Sequence, residues 1–268
     1  AAAALEHRRL SAQAAEAADA AEAGETRTAL LAAVSHDLRS PLASALAAVS
    51  SLRATDVTWT DADRAELLAT AEESLERLTR FVGNLVEMSR LTSGDLTVSR
   101  QPLGLDEILP PVLDDLRLGQ GQVECNVPDT LPDALADPTL LHQVVLNLLT
   151  NAVRYSPAHQ PPLITASAIG DRLELRVVDR GPGIPDAERE QVFTPFQRRG
   201  DRDNSHGVGL GLALSRGLAE AMGGTLTSED TPSGGTTMVL ALPRAPVGDA
   251  AVTADADQAV ASKADPDV

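Results

Sequence analysis

Apolar residues recur every seven positions near the start of this 268-residue chain. The main row is Leu31, Leu38, Ala45 and Leu52, with Leu42 and Val49 as a second row. This spacing predicts a long helix, over about residues 5–53, that packs along one seam. With Leu31 at heptad position a, His36 takes position f, the position farthest from the seam. The repeat therefore predicts an exposed histidine within reach of a partner.

The residues around this histidine read Ser-His-Asp-Leu-Arg-Ser-Pro-Leu, from 35 to 42. Pro41 has no N–H, so the carbonyl of Asp37 loses its helical partner and a bend is predicted just past His36. By itself, an exposed histidine on a helix is usually a solvated surface residue. A function for His36 must therefore come from motifs elsewhere in the chain.

A second amphipathic helix is predicted over residues 61–92, where apolar residues recur three or four positions apart. Thr60 is its predicted N-cap, with Asp61 and Asp63 as acids in the first turn. Two such helices form an antiparallel hairpin with a wide apolar stripe. Because two hairpins can cover that stripe as a four-helix bundle, we expect a homodimer.

The pattern changes after the turn at residues 93–95. A short strand is predicted at 96–103, a helix at 105–118 that is interrupted or started by Pro110-Pro111, and a strand at 122–127. A helix at 137–155, a hairpin of strands at 163–169 and 172–178, and a helix at 208–222 complete a pattern of segregated helices over a largely antiparallel sheet. The fold class is therefore α+β, with a helical hairpin followed by an α/β sandwich. The predicted boundaries are 1–93 for the hairpin, 94–244 for the sandwich and 245–268 for a disordered acidic tail.

Composition excludes some functions. A formal charge of −17 argues against a nucleic-acid partner, which would need a basic surface. A single cysteine fits a reducing, cytoplasmic environment. No apolar run approaches the roughly 18 residues of a spanning helix, and the chain begins with alanines inside a predicted helix. We expect a soluble piece of a larger protein.

Two polar motifs interrupt the apolar pattern of the second domain. Asn147 and Asn151 are four residues apart on a helix that is otherwise apolar, so their amides are predicted to share a face and point into a cavity. Asp179 directly follows a predicted strand and opens an Asp-x-Gly-x-Gly turn with Gly181 and Gly183. Such a turn in isolation is usually only a tight turn.

Two further motifs follow. Val192-Phe193-Thr194-Pro195-Phe196-Gln197-Arg198 precedes a polar segment, 200–206, of the composition expected for a mobile lid. Gly207, Gly209 and Gly211 then lead into a helix. A helix N-terminus offers backbone N–H groups and the positive end of a dipole to phosphate.

In order and spacing, these four motifs and the histidine motif resemble the sensor histidine kinases of two-component signalling, over about residues 26–243. The resemblance implies the ATP-binding fold shared with gyrase, Hsp90 and the MutL mismatch-repair proteins, with ATP and Mg²⁺ as cofactors. It makes Asn151 the Mg²⁺ ligand, with Asn147 beside it. It also places Arg154 at phosphate, Tyr155 by the adenine, and Asp179 as acceptor for the adenine amino group.

The same resemblance gives Gly181 and Gly183 the role of allowing the backbone close to the ligand. Gly207, Gly209 and Gly211 are implied to bind phosphate. Arg198 is the expected γ-phosphate contact, with Arg199 as the neighbouring alternative.

The implied reaction transfers the γ-phosphoryl group of ATP to His36. Asp37 is the expected carboxylate that accepts from the other ring N–H of His36. Adjacent helical residues point about 100° apart, so this contact needs particular rotamers. The alternative for Asp37 is a solvated charge. Ser40 stands where many relatives carry the Thr or Asn that supports dephosphorylation of the response regulator. It keeps a hydroxyl but not the same bulk.

Three segments, residues 29–53, 64–70 and 207–224, are most similar to the Kdp-type potassium sensor kinases of actinobacteria. This similarity implies potassium or osmotic sensing, a membrane-anchored parent protein of which this chain is a cytoplasmic portion, and a receiver-domain partner. Exposed positions expected to set partner specificity are Ser44, Ala47, Ala48, Ser51, Thr79 and Arg80. Whether transfer occurs within or between chains stays open.

Three alternatives remain. The chain could be a non-catalytic dimeric docking module, or a phosphatase-biased kinase with another stimulus. It could also be an ATPase of the gyrase or MutL kind, although those carry a catalytic Glu where Asn147 stands and lack the histidine hairpin.

Overall fold

A computed structural model describes residues 34–35, 38–54, 57–119, 121–196, 209–232 and 234–246. The predicted positions His36, Asp37, Arg198, Arg199 and Gly207 lie outside the described residues, as does the predicted tail beyond residue 246. None of the described helices is long and apolar enough to cross a bilayer.

Between residues 34 and 94, the part of the N-terminal region that the structure describes forms two helices. Helix α1 comprises residues 34–35 and 38–53, and helix α2 spans Asp61–Ser93. The predicted N-cap of α2 is confirmed: Thr60 Oγ1 accepts from the Asp63 N–H, and the Asp63 carboxylate accepts from the Thr60 N–H in return. Gly94 ends α2 with a φ of 77°, a left-handed conformation that favours glycine.

The hairpin keeps an uncovered apolar stripe in the single chain. It consists of Leu42, Leu46 and Val49 on α1 and Leu68, Leu75, Val82 and Val86 on α2. Leu46 is 64% exposed and Leu75 50%. The prediction that Ala48 is exposed is wrong, because Ala48 lies three positions after buried Ala45 and shares its helical face.

The described residues of the C-terminal part form three helices and two sheets. Its helices are α3 (Leu105–Asp115), α4 (Pro138–Tyr155) and α5 (Gly211–Ala221). Its strands are β1 (Gln101–Leu103), β2 (Glu124–Asn126), β3 (Ala134–Ala136), β4 (Leu163–Ile169), β5 (Arg172–Val178), β6 (Thr225–Asp230) and β7 (Thr236–Pro243). Short 3₁₀ turns occupy Asp186–Glu188 and Gln191–Phe193.

The larger sheet has the order β2-β4-β5-β7-β6, and its pairs are antiparallel except for β2 with β4; β1 and β3 form a small second sheet. Alternate residues of β5 are buried, as expected for a strand with one face on the core. Fully buried leucines join the layers, including Leu148 of α4, Leu175 of β5 and Leu214 of α5. The predicted α+β sandwich is confirmed.

Some boundaries differ from the sequence expectation. The strand expected at residues 96–103 is reduced to β1, because the Ser99 N–H donates 2.9 Å to the Asp137 carboxylate and not to a neighbouring strand. Helix α3 continues through Pro110 and Pro111, which lie on its exposed side, while Ile108 and Val112 bury the opposite side. Strand β3 has no counterpart among the predicted elements.

Candidate functional site

A cavity of about 1020 Å³ lies where the helical hairpin meets the sandwich. The sandwich contributes polar side chains of α4, the turn after β5, and the start of α5. Helix α2 contributes a wall that includes Glu73, Arg77, Arg80, Phe81 and Asn84, and α1 contributes Pro41. The predicted specificity positions Thr79 and Arg80 are both exposed, and Arg80 also lines the cavity.

The amide row of α4 forms one side of the cavity. Gln143, Asn147 and Asn151 follow one another at intervals of four residues, and all three line the cavity as the spacing of the two asparagines predicted. Asn147 Nδ2 donates 3.4 Å to the hydroxyl of fully buried Ser215 on α5. This bond leaves the carbonyl oxygen of Asn147 available to a ligand.

Asp179 holds a defined carboxylate at the end of β5. The residue is 8% exposed and lines the cavity. Its Oδ1 accepts two backbone hydrogen bonds, from the Gly181 N–H at 2.8 Å and the Thr236 N–H at 3.0 Å. Because both bonds end on Oδ1, Oδ2 remains as an acceptor for a ligand in the cavity.

The two glycines of this turn are explained by packing within the protein. A Cβ at Gly181 would lie 2.9 Å from the Tyr155 carbonyl oxygen. Gly183 has a φ of +73°, and its Cβ would lie 3.1 Å from the Gly235 carbonyl oxygen. Close approach of one backbone segment to another is therefore a reason for these glycines within the protein itself, and the expected approach of a ligand to this backbone stays a prediction.

Arg154 and Tyr155 stand at the end of α4 on the rim of the cavity. The Arg154 guanidinium carbon lies 5.0 Å from the centroid of the Tyr155 ring, within cation–π range. Tyr155 is 48% exposed, so one ring face is available for stacking.

The third motif is anchored by Phe193, which is buried under Arg216 of α5. Arg216 Nη1 donates 2.7 Å to the Glu190 carboxylate, and Arg216 Nε donates 3.1 Å to the Leu226 carbonyl. The Phe196 N–H donates 3.0 Å to the Gly209 carbonyl, which joins the two ends of the segment 197–208. Sequence reasoning missed Arg216, since nothing in its helical position distinguishes it from a surface arginine.

Helix α5 begins at the cavity with Gly209 and Gly211 lining it. Its N-cap, Leu210, supplies no side-chain hydrogen bond to the first turn. The N–H groups and positive dipole end of α5 therefore favour an anion at this place.

Comparison with known proteins agrees with this geometry. Residues 26–94 match the family "His Kinase A (phospho-acceptor) domain", and residues 136–246 match the family "Histidine kinase-, DNA gyrase B-, and HSP90-like ATPase". The chain belongs to the sensor histidine kinases and contains the two domains of their core.

The curated relatives include sensor proteins named KdpD. The chain is 44% identical to that of Mycobacterium tuberculosis over 250 residues, which cover 90% of this chain and 29% of the relative. It is 34% identical to KdpD of Escherichia coli, over 90% of this chain and 27% of the relative. The chain thus spans less than a third of the length of these KdpD proteins.

Two solved structures share the fold. The Acinetobacter baumannii histidine kinase AdeS superposes with a TM-score of 0.60 at 22% identity, covering 79% of this chain and 98% of that one. Full-length ShkA in complex with AMPPNP superposes with a TM-score of 0.56 at 28% identity, covering 85% of this chain and 46% of ShkA.

Proposed function

We propose that this chain autophosphorylates His36 from Mg-ATP and passes the phosphoryl group to an aspartate of a response-regulator receiver domain. The observation that carries the proposal is the composition of the cavity wall. The amide row of α4 and the start of α5 face a wall that includes Pro41, which follows His36 by five residues in the sequence. The same proposal divides the chain into residues 1–93 for dimerisation and phosphotransfer, 94–244 for ATP binding, and 245–268 as a tail.

The nucleotide is held by groups of complementary chemistry. Asp179 Oδ2 accepts from the adenine amino group, and the half-exposed ring of Tyr155 stacks beside the base. The N–H groups at the start of α5 bind phosphate oxygens, aided by the guanidinium of Arg154. Arg198, or its neighbour Arg199, is proposed to reach the γ-phosphate.

The donor set of the cavity fits Mg²⁺. Asn151 and Asn147 offer neutral amide oxygens, and the bond from Asn147 to Ser215 directs its amide N–H₂ away from the ligand side. Mg²⁺ prefers such hard oxygen ligands and keeps several waters beside substrate phosphates. When bound, the cation neutralises phosphate charge; Asn151 is proposed as its protein ligand.

Phosphoryl transfer depends mainly on positioning and charge neutralisation. The neutral imidazole of His36 attacks the γ-phosphorus, and the bond to the β–γ bridging oxygen breaks to release ADP. Asp37 is proposed to hold the other ring N–H, which raises the basicity of the attacking nitrogen. Ser40 is exposed, so its hydroxyl is accessible to the partner's phosphoaspartate.

The uncovered apolar stripe of the hairpin supports a homodimer through a four-helix bundle. The similarity to KdpD proteins supports a Kdp-type response regulator, potassium or osmotic sensing, and a membrane-anchored parent protein of which this chain is a cytoplasmic portion. No nucleic-acid partner is proposed, given the charge of −17.

Incubation with γ-labelled ATP and Mg²⁺ tests the proposal. The chain is expected to retain a label stable to alkali and labile to acid, as befits a phosphoramidate. His36→Gln should remove the label and leave nucleotide affinity nearly unchanged. Undiminished label in His36→Gln would refute the phosphoacceptor; nucleotide binding without label favours the docking module, and release of free phosphate without label favours a gyrase-type ATPase.

A further inference from the structure

An interior glycine of α5 is explained by its contact with the hairpin. Gly217 lies in the middle of Gly211–Ala221, where glycine weakens a helix. A Cβ at this position would overlap Cδ2 of Leu91 in the last turns of α2 and would lie 3.4 Å from its Cγ. The side chain of Leu91 therefore rests directly on the backbone of α5.

A polar contact joins the hairpin to the sandwich at Asn84, seven residues before Leu91 on α2. Gln143 Nε2 of α4 donates 2.8 Å to Asn84 Oδ1 of α2, in a partly buried setting. Gln143 precedes Asn147 by one helical turn, so this bond connects α2 to the amide row of the cavity. Met88, between Asn84 and Leu91, also packs against the core of the sandwich.

These contacts occupy a face of α2 that is separate from the apolar stripe. Arg77, Asn84 and Leu91 are spaced by seven, whereas the stripe uses Leu75 and Val82. Positions two residues apart on a helix point about 200° apart, so the two rows lie on opposite sides. A dimer formed through the stripe therefore leaves the contacts with the sandwich in place.

We propose that Asn84 and Leu91 are positioning residues that seat the ATP-binding part on α2 with its cavity open toward α1 of the same chain. They set the rate of phosphoryl transfer without touching the nucleotide. This inference rests on the proposed function. The seating is productive because it brings Pro41, on the phosphoacceptor helix, into the wall of the cavity.

The test is single-turnover autophosphorylation of the full chain at saturating Mg-ATP. Gly217→Ala favours the helix by intrinsic propensity but displaces Leu91, so the rate should fall at least about tenfold, as small misplacements of reacting groups are costly. The dissociation constant for ATP should not change. Asn84→Ala should slow the reaction about two- to tenfold through loss of one hydrogen bond.

Two further variants separate positioning from a general loss of structure. Leu91→Ala combined with Gly217→Ala restores space at the contact and should label faster than Gly217→Ala alone. Glu220→Ala, on the exposed side of the same helix, should label at the rate of the unaltered chain. A wild-type or increased rate in Gly217→Ala, or no recovery in the double variant, overturns the inference.

Hydrogen exchange measured without nucleotide reports the contact between α2 and the sandwich independently of phosphoryl transfer. Gly217→Ala is expected to accelerate exchange over residues 84–93 of α2, and unchanged exchange there also overturns the inference. Absence of label in the unaltered chain, by contrast, counts against the proposed function. Hydrogen exchange would still show in that case whether α2 and the sandwich are in contact.

Discussion

The guanidinium carbon of Arg216 lies 3.5 Å from the centroid of the Phe193 ring. This contact connects helix α5, whose N-terminus opens on the cavity, with the residues just before the segment 197–208. The same guanidinium bonds the Glu190 carboxylate and the Leu226 carbonyl, so one side chain joins the third motif, α5 and β6. Glu190 and Phe193 are thereby held relative to the proposed phosphate site.

Arg216→Ala should lower the free energy of unfolding by about 1–2 kcal/mol, through loss of the cation–π contact and of the bond to Leu226. Thermal unfolding of this variant beside Arg216→Lys measures the effect. Lysine keeps the charge but has neither the planar group that stacks on Phe193 nor the Nε donor to Leu226, so an equal loss in both variants would show that charge alone does not replace these two contacts. Unchanged unfolding in Arg216→Ala contradicts the expectation.

The same variant should change the titration of Glu190. Hydrogen bonding and charge attraction from Arg216 hold the pKa of Glu190 below its ordinary value of 4.5. A carboxyl group whose pKa is lowered in the folded state stabilises the fold at pH values above its ordinary pKa. This contribution is lost as the pH falls through the lower pKa of the folded state. NMR titration should show the Glu190 pKa rising toward 4.5 in Arg216→Ala; an unmoved pKa contradicts the assigned cause.

Asp179→Asn should weaken ATP binding about tenfold to a hundredfold. An asparagine amide has a single oxygen, which is needed to accept the two backbone bonds from Gly181 and Thr236. Its N–H₂ group would then face the adenine amino group, and two donors cannot bond each other. Isothermal titration with ATP measures the change, and GTP, which lacks that amino group, is the control ligand. Wild-type ATP affinity in this variant would place the base elsewhere.

Asn151→Ala should remove a ligand of Mg²⁺ and reduce autophosphorylation even at saturating ATP. Its affinity for ADP without Mg²⁺ should stay near that of the unaltered chain, because the base-binding groups are intact. Titration of the label against Mg²⁺ concentration is the measurement. The proposed metal role of Asn151 is wrong if the Mg²⁺ requirement of this variant equals that of the unaltered chain.

Leu75→Glu should dissociate the proposed dimer, because it places a charge within the apolar stripe of the hairpin. Sedimentation equilibrium measures the mass of the chain in solution. Glu66→Arg is a matched control, since Glu66 is also exposed on α2 but lies off the stripe. A monomeric unaltered chain, or an unaffected dimer in Leu75→Glu, would locate the interface elsewhere or exclude it.

The local sequence of this chain was sufficient to predict most of its elements. Strands β4 and β5 have the predicted bounds because Gly170-Asp171 is a strong hairpin signal between two alternating runs. The capped start of α2 and the alignment of Asn147 with Asn151 along the cavity depend only on spacing along a single helix. Local backbone preference and helical periodicity determine features of this kind.

Tertiary structure decided what lies opposite those faces. Asn84 of α2 bonds Gln143 of α4, and Leu91 of α2 rests on Gly217 of α5. Position 181 requires glycine because the backbone of Tyr155 lies against it. The two members of each pair are far apart in the sequence. The strand expected at 96–103 was shortened for the same reason, since distant Asp137 takes the Ser99 N–H. Periodicity identifies the face that a helix buries, but the partner for that face depends on how separate elements pack in three dimensions.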